Sequence, residues 1–173
     1  TGVFKVERDF LFELKSLSEA GEFMGLASTY SNVDAGGDVV EPGAFTESLK
    51  KRSEVPILWT HDMSAPVGLG KLTDTPEGLK VEGQLDLDTQ AGRDAHSRLK
   101  KRIVRGLSIG YKAIRDTIKD GIRHLHQVEL FEVSLVPFPM NERAIVRTVK
   151  ADIGSIRDYE KFLHQAGWSK SEA

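Results

Sequence analysis

The sequence predicts an α+β fold: a mostly antiparallel β-barrel surrounded by a few helices. Three observations predict it. Apolar runs of strand length recur along the chain, separated by turn residues such as Thr75-Pro76-Glu77-Gly78 and Asp120-Gly121. Helical spacing is confined to a few short stretches. The two kinds of element do not alternate regularly, which argues against a parallel sheet built of strand–helix–strand units, and no internal repeat is present.

Each element follows from local signals. Val3 to Leu14 alternates enough to be a strand, and 23–30 reads as a second one after the turn at 19–22. Residues 31–38 are dense in Ser, Asn, Asp and Gly, so they form a turn-rich loop. Pro42-Gly43-Ala44-Phe45 opens a short helix to about Lys51, with Phe45 and Leu49 on one face. Val55 to Trp59 is a short apolar strand leading into Thr60-His61-Asp62. Val67–Leu72 and Leu79–Leu87 pair across the Thr75–Gly78 turn. Asp88-Thr89 supplies an N-cap for a helix over Gln90 to Arg102, whose apolar side carries Leu99 and Ile103. A strand through Ser108 enters a hairpin at Asp120-Gly121, and Ile122 to Val136 is its return. A last helix is expected from Ile153 to about Gln165, ended by Ala166-Gly167-Trp168. Residues 1–150 therefore read as one barrel domain, and 151–173 as a C-terminal helix and tail that pack on it or serve assembly.

Composition narrows the function. The chain has 173 residues, of which 39% are hydrophobic and 29% charged, a globular balance with mass for a real core. A net charge of −2 argues against coating nucleic acid. The local basic cluster of Arg98, Lys100, Lys101, Arg102 and Arg105 reads as a solvated helix face. There is no cysteine, hence no disulfide, thiol nucleophile or thiolate metal site, in keeping with a reducing compartment. No apolar run reaches membrane-spanning length and no signal peptide is visible, so no membrane partner is expected. Thr1 in place of Met leads us to expect residues upstream.

The stretch that points to chemistry is Gly106-Leu107-Ser108-Ile109-Gly110. Paired glycines in a strand mean that something approaches the backbone closely. A scissile carbonyl is one such visitor, which would make Ser108 a nucleophile; the alternative is a strand serine beside two tight-packing glycines. The pattern also fits the G-x-S-x-G elbow of α/β hydrolases, but the elbow requires a helix directly after the serine and a histidine downstream. Here a strand continues and the best histidine, His61, lies upstream.

A serine nucleophile needs a base, and the base an orienting group. His61 is the candidate base, placed where an apolar strand meets a polar turn. Glu132 is the candidate acid. It lies among Leu130, Phe131, Val133 and Leu135 in a segment buried on both faces, where a carboxylate must be paired. Glu129 falls on the other face of a regular strand. His96, mid-helix among charges, reads as solvated, and His164, on the last helix, as structural. His124 and His126 share one face of a strand and could be two ligands of a metal site with Asp34, Asp38 or Asp116 as the third, and a metal-dependent hydrolase built on His61, His124 and His126 is a competing reading.

Assembled in order, these segments resemble the prohead (procapsid maturation) serine proteases of tailed bacteriophages. The matching pieces are Gly25–Tyr30 with Asn32-Val33-Asp34, Gly37–Phe45, Leu58–Asp62, Pro66-Val67-Gly68, Gly106–Tyr111 and Glu132–Pro137, spanning Phe23 to Ala144. The resemblance implies the fold of herpesvirus assembly proteases and a catalytic set of Ser108, His61 and Glu132, with no cofactor and no metal. The herpesvirus relatives use a second histidine as third member, so the resemblance leaves that position open between Glu132 and His124 or His126. It implies capsid or scaffold protein as substrate, self-cleavage, and action inside the assembling procapsid in the bacterial host cytoplasm. Self-association is expected to relieve a restraint on activity. Backbone N–H groups after Pro137, or the side chains of Asn141 and Arg143, are the expected oxyanion donors. A non-enzymatic capsid-assembly protein of the same fold is the competing reading from a different class.

Overall fold

A computed structural model of the chain describes residues 9–10, 16–17, 19–34 and 36–137, with side chains from residue 19 onward. In chain order the elements are β1 (Asp9–Phe10), β2 (Ser16–Leu17), β3 (Glu22–Thr29), β4 (Asp38–Val40), α1 (Thr46–Lys51), β5 (Glu54–Trp59), β6 (Asp62–Thr75), β7 (Gly78–Leu85), α2 (Gln90–Lys100), β8 (Gly106–Lys119) and β9 (Ile122–Val136). The expected C-terminal helix, Asn141, Arg143 and the N–H groups beyond Pro137 lie outside the described residues, as does most of the expected strand from Val3 to Leu14.

The strands form one sheet in the order β1-β8-β9-β5-β6-β7-β3-β2, with β4 also on β9. Strand β9 is its spine. Along one edge it carries β8, antiparallel from Gly106↔Val136 to Lys119↔Ile122. On the other edge it carries two parallel partners, β4 at Arg123–Leu125 and β5 at Val133–Leu135. The sheet curls until β3 and β8 touch, helped by register shifts at Leu26/Ser28, along β5 and in the middle of β8. Among the described residues the ladder stays open, so the expected β-barrel takes the form of a curled half-barrel. The two parallel pairings bring together strands far apart in sequence, which no local pattern announces.

The core is filled by Phe45, Ile57, Leu79, Leu85, Leu99, Leu107, Ile109, Leu125 and Leu135, each essentially without solvent exposure. Burying one such side chain contributes about 1.5–3 kcal/mol. In the expected loop before β4, Asp34 Oδ1 accepts from the N–H groups of Gly36 (2.9 Å) and Asp38 (3.0 Å). Asp38 then anchors β4, accepting at Oδ2 from Nε (2.8 Å) and Nη2 (2.5 Å) of Arg123 on β9. The helix at Pro42 starts later than expected, because residues 42–45 are turns and Phe45 is the N-cap. Thr89 caps α2, its side chain accepting from Gly92 N at 3.1 Å. That helix ends at Lys100, so Leu99 is buried while Ile103 is 61% exposed instead of extending the apolar stripe.

Candidate active site

Parity on the β8–β9 pair separates core from chemistry. Leu107 and Ile109 lie opposite Leu135 and Val133, and all four are buried in the core. The alternate residues fall on the other face, where Ser108 opposes Ser134 and Gly110 opposes Glu132. Two short alternating segments thus lay small and polar groups on one side and aliphatic groups on the other. Ser108, Glu132 and Ser134 are all buried, at 0%, 4% and 0% exposure. Such burial is tolerable only where each polar group finds a partner.

Strand β5 delivers the histidine. Leu58 lies beside Ser134 and Trp59 beside Leu135, and the chain then turns at Thr60-His61 back into β6. Trp59 is the register partner of Asp62, so the loop has two residues, and both have positive φ (49° and 62°). Positive φ at both positions marks the type I′ hairpin turn, which ordinarily selects Asn and Gly. A threonine and a histidine there are sterically disfavoured and point to a functional constraint. Two bonds to β9 hold the turn: Thr60 N–H donates to Leu135 O and His61 N–H to Ser134 Oγ, each at 3.0 Å.

The imidazole of His61 lies against the buried carboxylate, with Nδ1 2.7 Å from Glu132 Oε1 and side-chain exposures of 15% and 6%. Ser134 Oγ donates to the other oxygen, Oε2, at 2.7 Å. A carboxylate only accepts, so Nδ1 carries the hydrogen, and in the neutral imidazole Nε2 then holds the lone pair. Beside the turn, the exposed Asp62 carboxylate accepts from Ser64 N and Oγ, and these bonds lower its pKa from the usual carboxylate value. Arg98 of α2 stacks 5.0 Å from the Trp59 ring centroid, bracing the end of β5.

Other titratable candidates lie elsewhere. His124 is ten residues from Ser134 on the same strand, roughly 30 Å away at ordinary strand rise. It pairs with Glu41 (2.7 Å), and His126 with Thr117 (2.8 Å). Neither histidine is near His61. Among the described residues no group of three or more His, Cys, Asp or Glu could hold a metal ion, so the His61–His124–His126 metal reading has no site. Glu129 is partly exposed between the buried Val128 and Leu130, 3.9 Å from Lys51.

Against this geometry, the family model for caudovirus prohead serine proteases matches residues 11–159. The chain belongs to that family. Among curated relatives, the prohead protease of Enterobacteria phage HK97 is 32% identical over 162 residues, covering 88% of this chain and 72% of that protein. The capsid polyprotein of Pseudomonas phage PAJU2 is 33% identical over 150 residues, covering 80% of this chain but 22% of the polyprotein. Among solved structures, the bacteriophage T4 capsid assembly protease superposes with a TM-score of 0.54 at 10% identity, covering 75% of this chain and 98% of that one. That likeness is one of fold.

Within this prohead-protease chain the second glycine of the Ser108 stretch has a definite job. A Cβ on Gly110 would stand 2.3 Å from Glu132 Oε1 and 2.8 Å from its Cδ. The group that approaches the backbone there is the protein's own carboxylate, laid across β8 toward His61. Gly110→Ala must push Glu132 aside, and that tip is not free to swing because both oxygens are bonded. We expect the substitution to destabilise the fold by about 1–3 kcal/mol, as overpacking does. Reaction with a serine-directed probe should slow about 100-fold, the scale of a misplacement near 1 Å. Denaturant unfolding and labelling kinetics check the two effects separately.

Two features escaped sequence reasoning. Ser134 was signalled only by its i+2 spacing from Glu132, which puts both on one strand face. The left-handed Thr60-His61 turn carried no signal, since neither residue favours that conformation.

Proposed function

We propose that this member of the prohead protease family is a serine endopeptidase that cuts capsid or scaffold protein, and itself, inside the assembling procapsid of a tailed phage. The observation that carries the reading is the part-buried contact between His61, in the turn after β5, and Glu132 on β9, two residues before Ser134, whose cross-strand partner is Ser108. Family membership and the capsid polyprotein relative support the class of substrate.

Each residue takes a role from its chemistry. His61 Nε2 removes the Ser108 Oγ proton as the oxygen attacks the scissile carbonyl carbon. The tetrahedral adduct collapses, the C–N bond breaks, and the imidazolium returns the proton to the leaving amine. The ester on Ser108 is then cleaved by water: His61 takes the water proton and returns it to Ser108 Oγ as the C–O bond breaks and the acid product leaves. Glu132 holds the Nδ1–H tautomer and stabilises the transient imidazolium. Oxyanion donors, each worth about 3–4 kcal/mol in hydrolases of this kind, are assigned to the segment after Pro137 on the family resemblance alone.

Ser108 has no solvent exposure, and β1 pairs across it at Asp9↔Ser108. Burial of the nucleophile supports a resting state that opens when copies associate or substrate arrives.

A fluorophosphonate probe tests the reading. Intact-mass analysis of the folded chain at high protein concentration should give one covalent adduct, and peptide mapping should locate it on Ser108. No adduct at any concentration, or an adduct on another residue, would overturn the assignment.

A further inference from the structure

We propose that Ser134 is a positioning residue of this site: its hydroxyl ties the orienting acid to the backbone of the base. The proposal rests on the serine-protease reading above. Ser134 is fully buried in β9, where an aliphatic residue would satisfy the strand equally well. A buried hydroxyl is unfavourable unless bonded, so its partners show what it is for.

A serine hydroxyl has one proton to give and two lone pairs. Here the proton goes to Glu132 Oε2 at 2.7 Å, and a lone pair receives the N–H of His61 at 3.0 Å. Two consequences follow. The terminal torsion of a glutamate is broad, with little intrinsic preference. Bonds at Oε1 to His61 and at Oε2 to Ser134 fix the carboxylate plane in one orientation. The His61 backbone, with φ at 62° after Thr60 at 49°, sits in a sparsely populated region and needs outside bonds to stay there. Ser134 supplies one of them. A single oxygen thus contacts the carboxylate that orients the imidazole and the backbone that carries it. With its proton given to Glu132, Ser134 is also unsuited to be the nucleophile, although it lies directly opposite Ser108.

The test is fluorophosphonate inactivation of the full chain, resolved into a limiting rate and a half-saturation concentration. It is read beside the downfield proton resonance of His61 Nδ1–H. Ser134→Ala should fold, keep the half-saturation concentration, and lower the limiting rate about 10- to 100-fold, as loss of orientation does. The Nδ1–H resonance should broaden or vanish through exchange, and Ser134→Thr, which keeps the hydroxyl, should recover both signals. If the alanine variant does not fold, Ser134→Cys carries the same comparison, because a thiol of similar size donates only weakly. An unchanged limiting rate overturns the proposal, and so does a slower rate with the resonance intact. Ser108→Ala run in parallel separates the two levels of inference. If it still labels at one site, the assignment of Ser108 as nucleophile fails and this proposal, which rests on it, falls with it. If it does not label while Ser134→Ala reacts like wild type, only the role of Ser134 is lost.

Discussion

Ser108→Ala is expected to cut hydrolysis of the cognate capsid precursor by about 10⁶-fold, the scale of losing the nucleophile in other serine hydrolases. The fold should be kept, because the residue's contribution to the sheet is made by its backbone, registered against Ser134, and by its neighbours Leu107 and Ile109 in the core. Alanine fits the same strand position with one atom fewer. The nearest other hydroxyl cannot take over, since the Ser134 proton is held by Glu132 and its oxygen by the His61 N–H. Gel analysis of precursor cleavage in co-expression, with a thermal melt of the purified variant, checks both halves. Cleavage at a measurable fraction of the wild-type rate would move the nucleophile elsewhere.

How much of this site was legible in the sequence depends on whether the information was local. The hairpin turns at Thr75–Gly78 and Asp120-Gly121, the Thr89 cap and the strand through Ser108 are encoded by residues within a few positions of one another, and the structure forms all of them. Glu132 could be singled out for the same reason, because a carboxylate in an aliphatic strand is anomalous whatever lies beside it. The placement of β5 next to β9 is different. It joins Leu58 to Ser134, and no pattern in either segment specifies the other. The same holds for the openness of the sheet, which depends on whether β3 and β8 meet closely enough to bond.

The glycines show the limit most clearly. The sequence established that something passes close to β8, but not from which side. A substrate carbonyl is one candidate and tight packing within the protein the other, and at Gly110 the visitor is Glu132 from the neighbouring strand. The two readings become distinguishable only when the register Gly110↔Glu132 is known. Given that register, the spacing of both motifs follows: G-x-S-x-G puts Ser108 and the gap at Gly110 on one face of the pair, and E-x-S puts Glu132 and Ser134 beside them on the same face.

Glu132→Gln is the sharpest test of the acid, and it should lower the rate by about 10⁴-fold with little change in stability. Glutamine has nearly the same shape, so it should fill the space above Gly110. It differs in having one acceptor oxygen and one donor NH₂ where glutamate has two acceptors. Ser134 donates to one of the two tip atoms, so the amide oxygen is drawn to that side and the NH₂ faces His61 Nδ1. Nδ1 must then accept, the hydrogen moves to Nε2, and the nitrogen that should take the Ser108 proton is already protonated. The imidazolium of the transition state also loses its counter-charge in a site where water does not replace it. Fluorophosphonate labelling of the variant should slow in parallel with cleavage, because both reactions need the same lone pair. Glu132→Asp keeps the charge but shortens the reach, so it should fall between wild type and glutamine. If glutamine instead reacts as fast as glutamate, the carboxylate is a structural partner of the His61 turn and the orienting group of the base lies elsewhere.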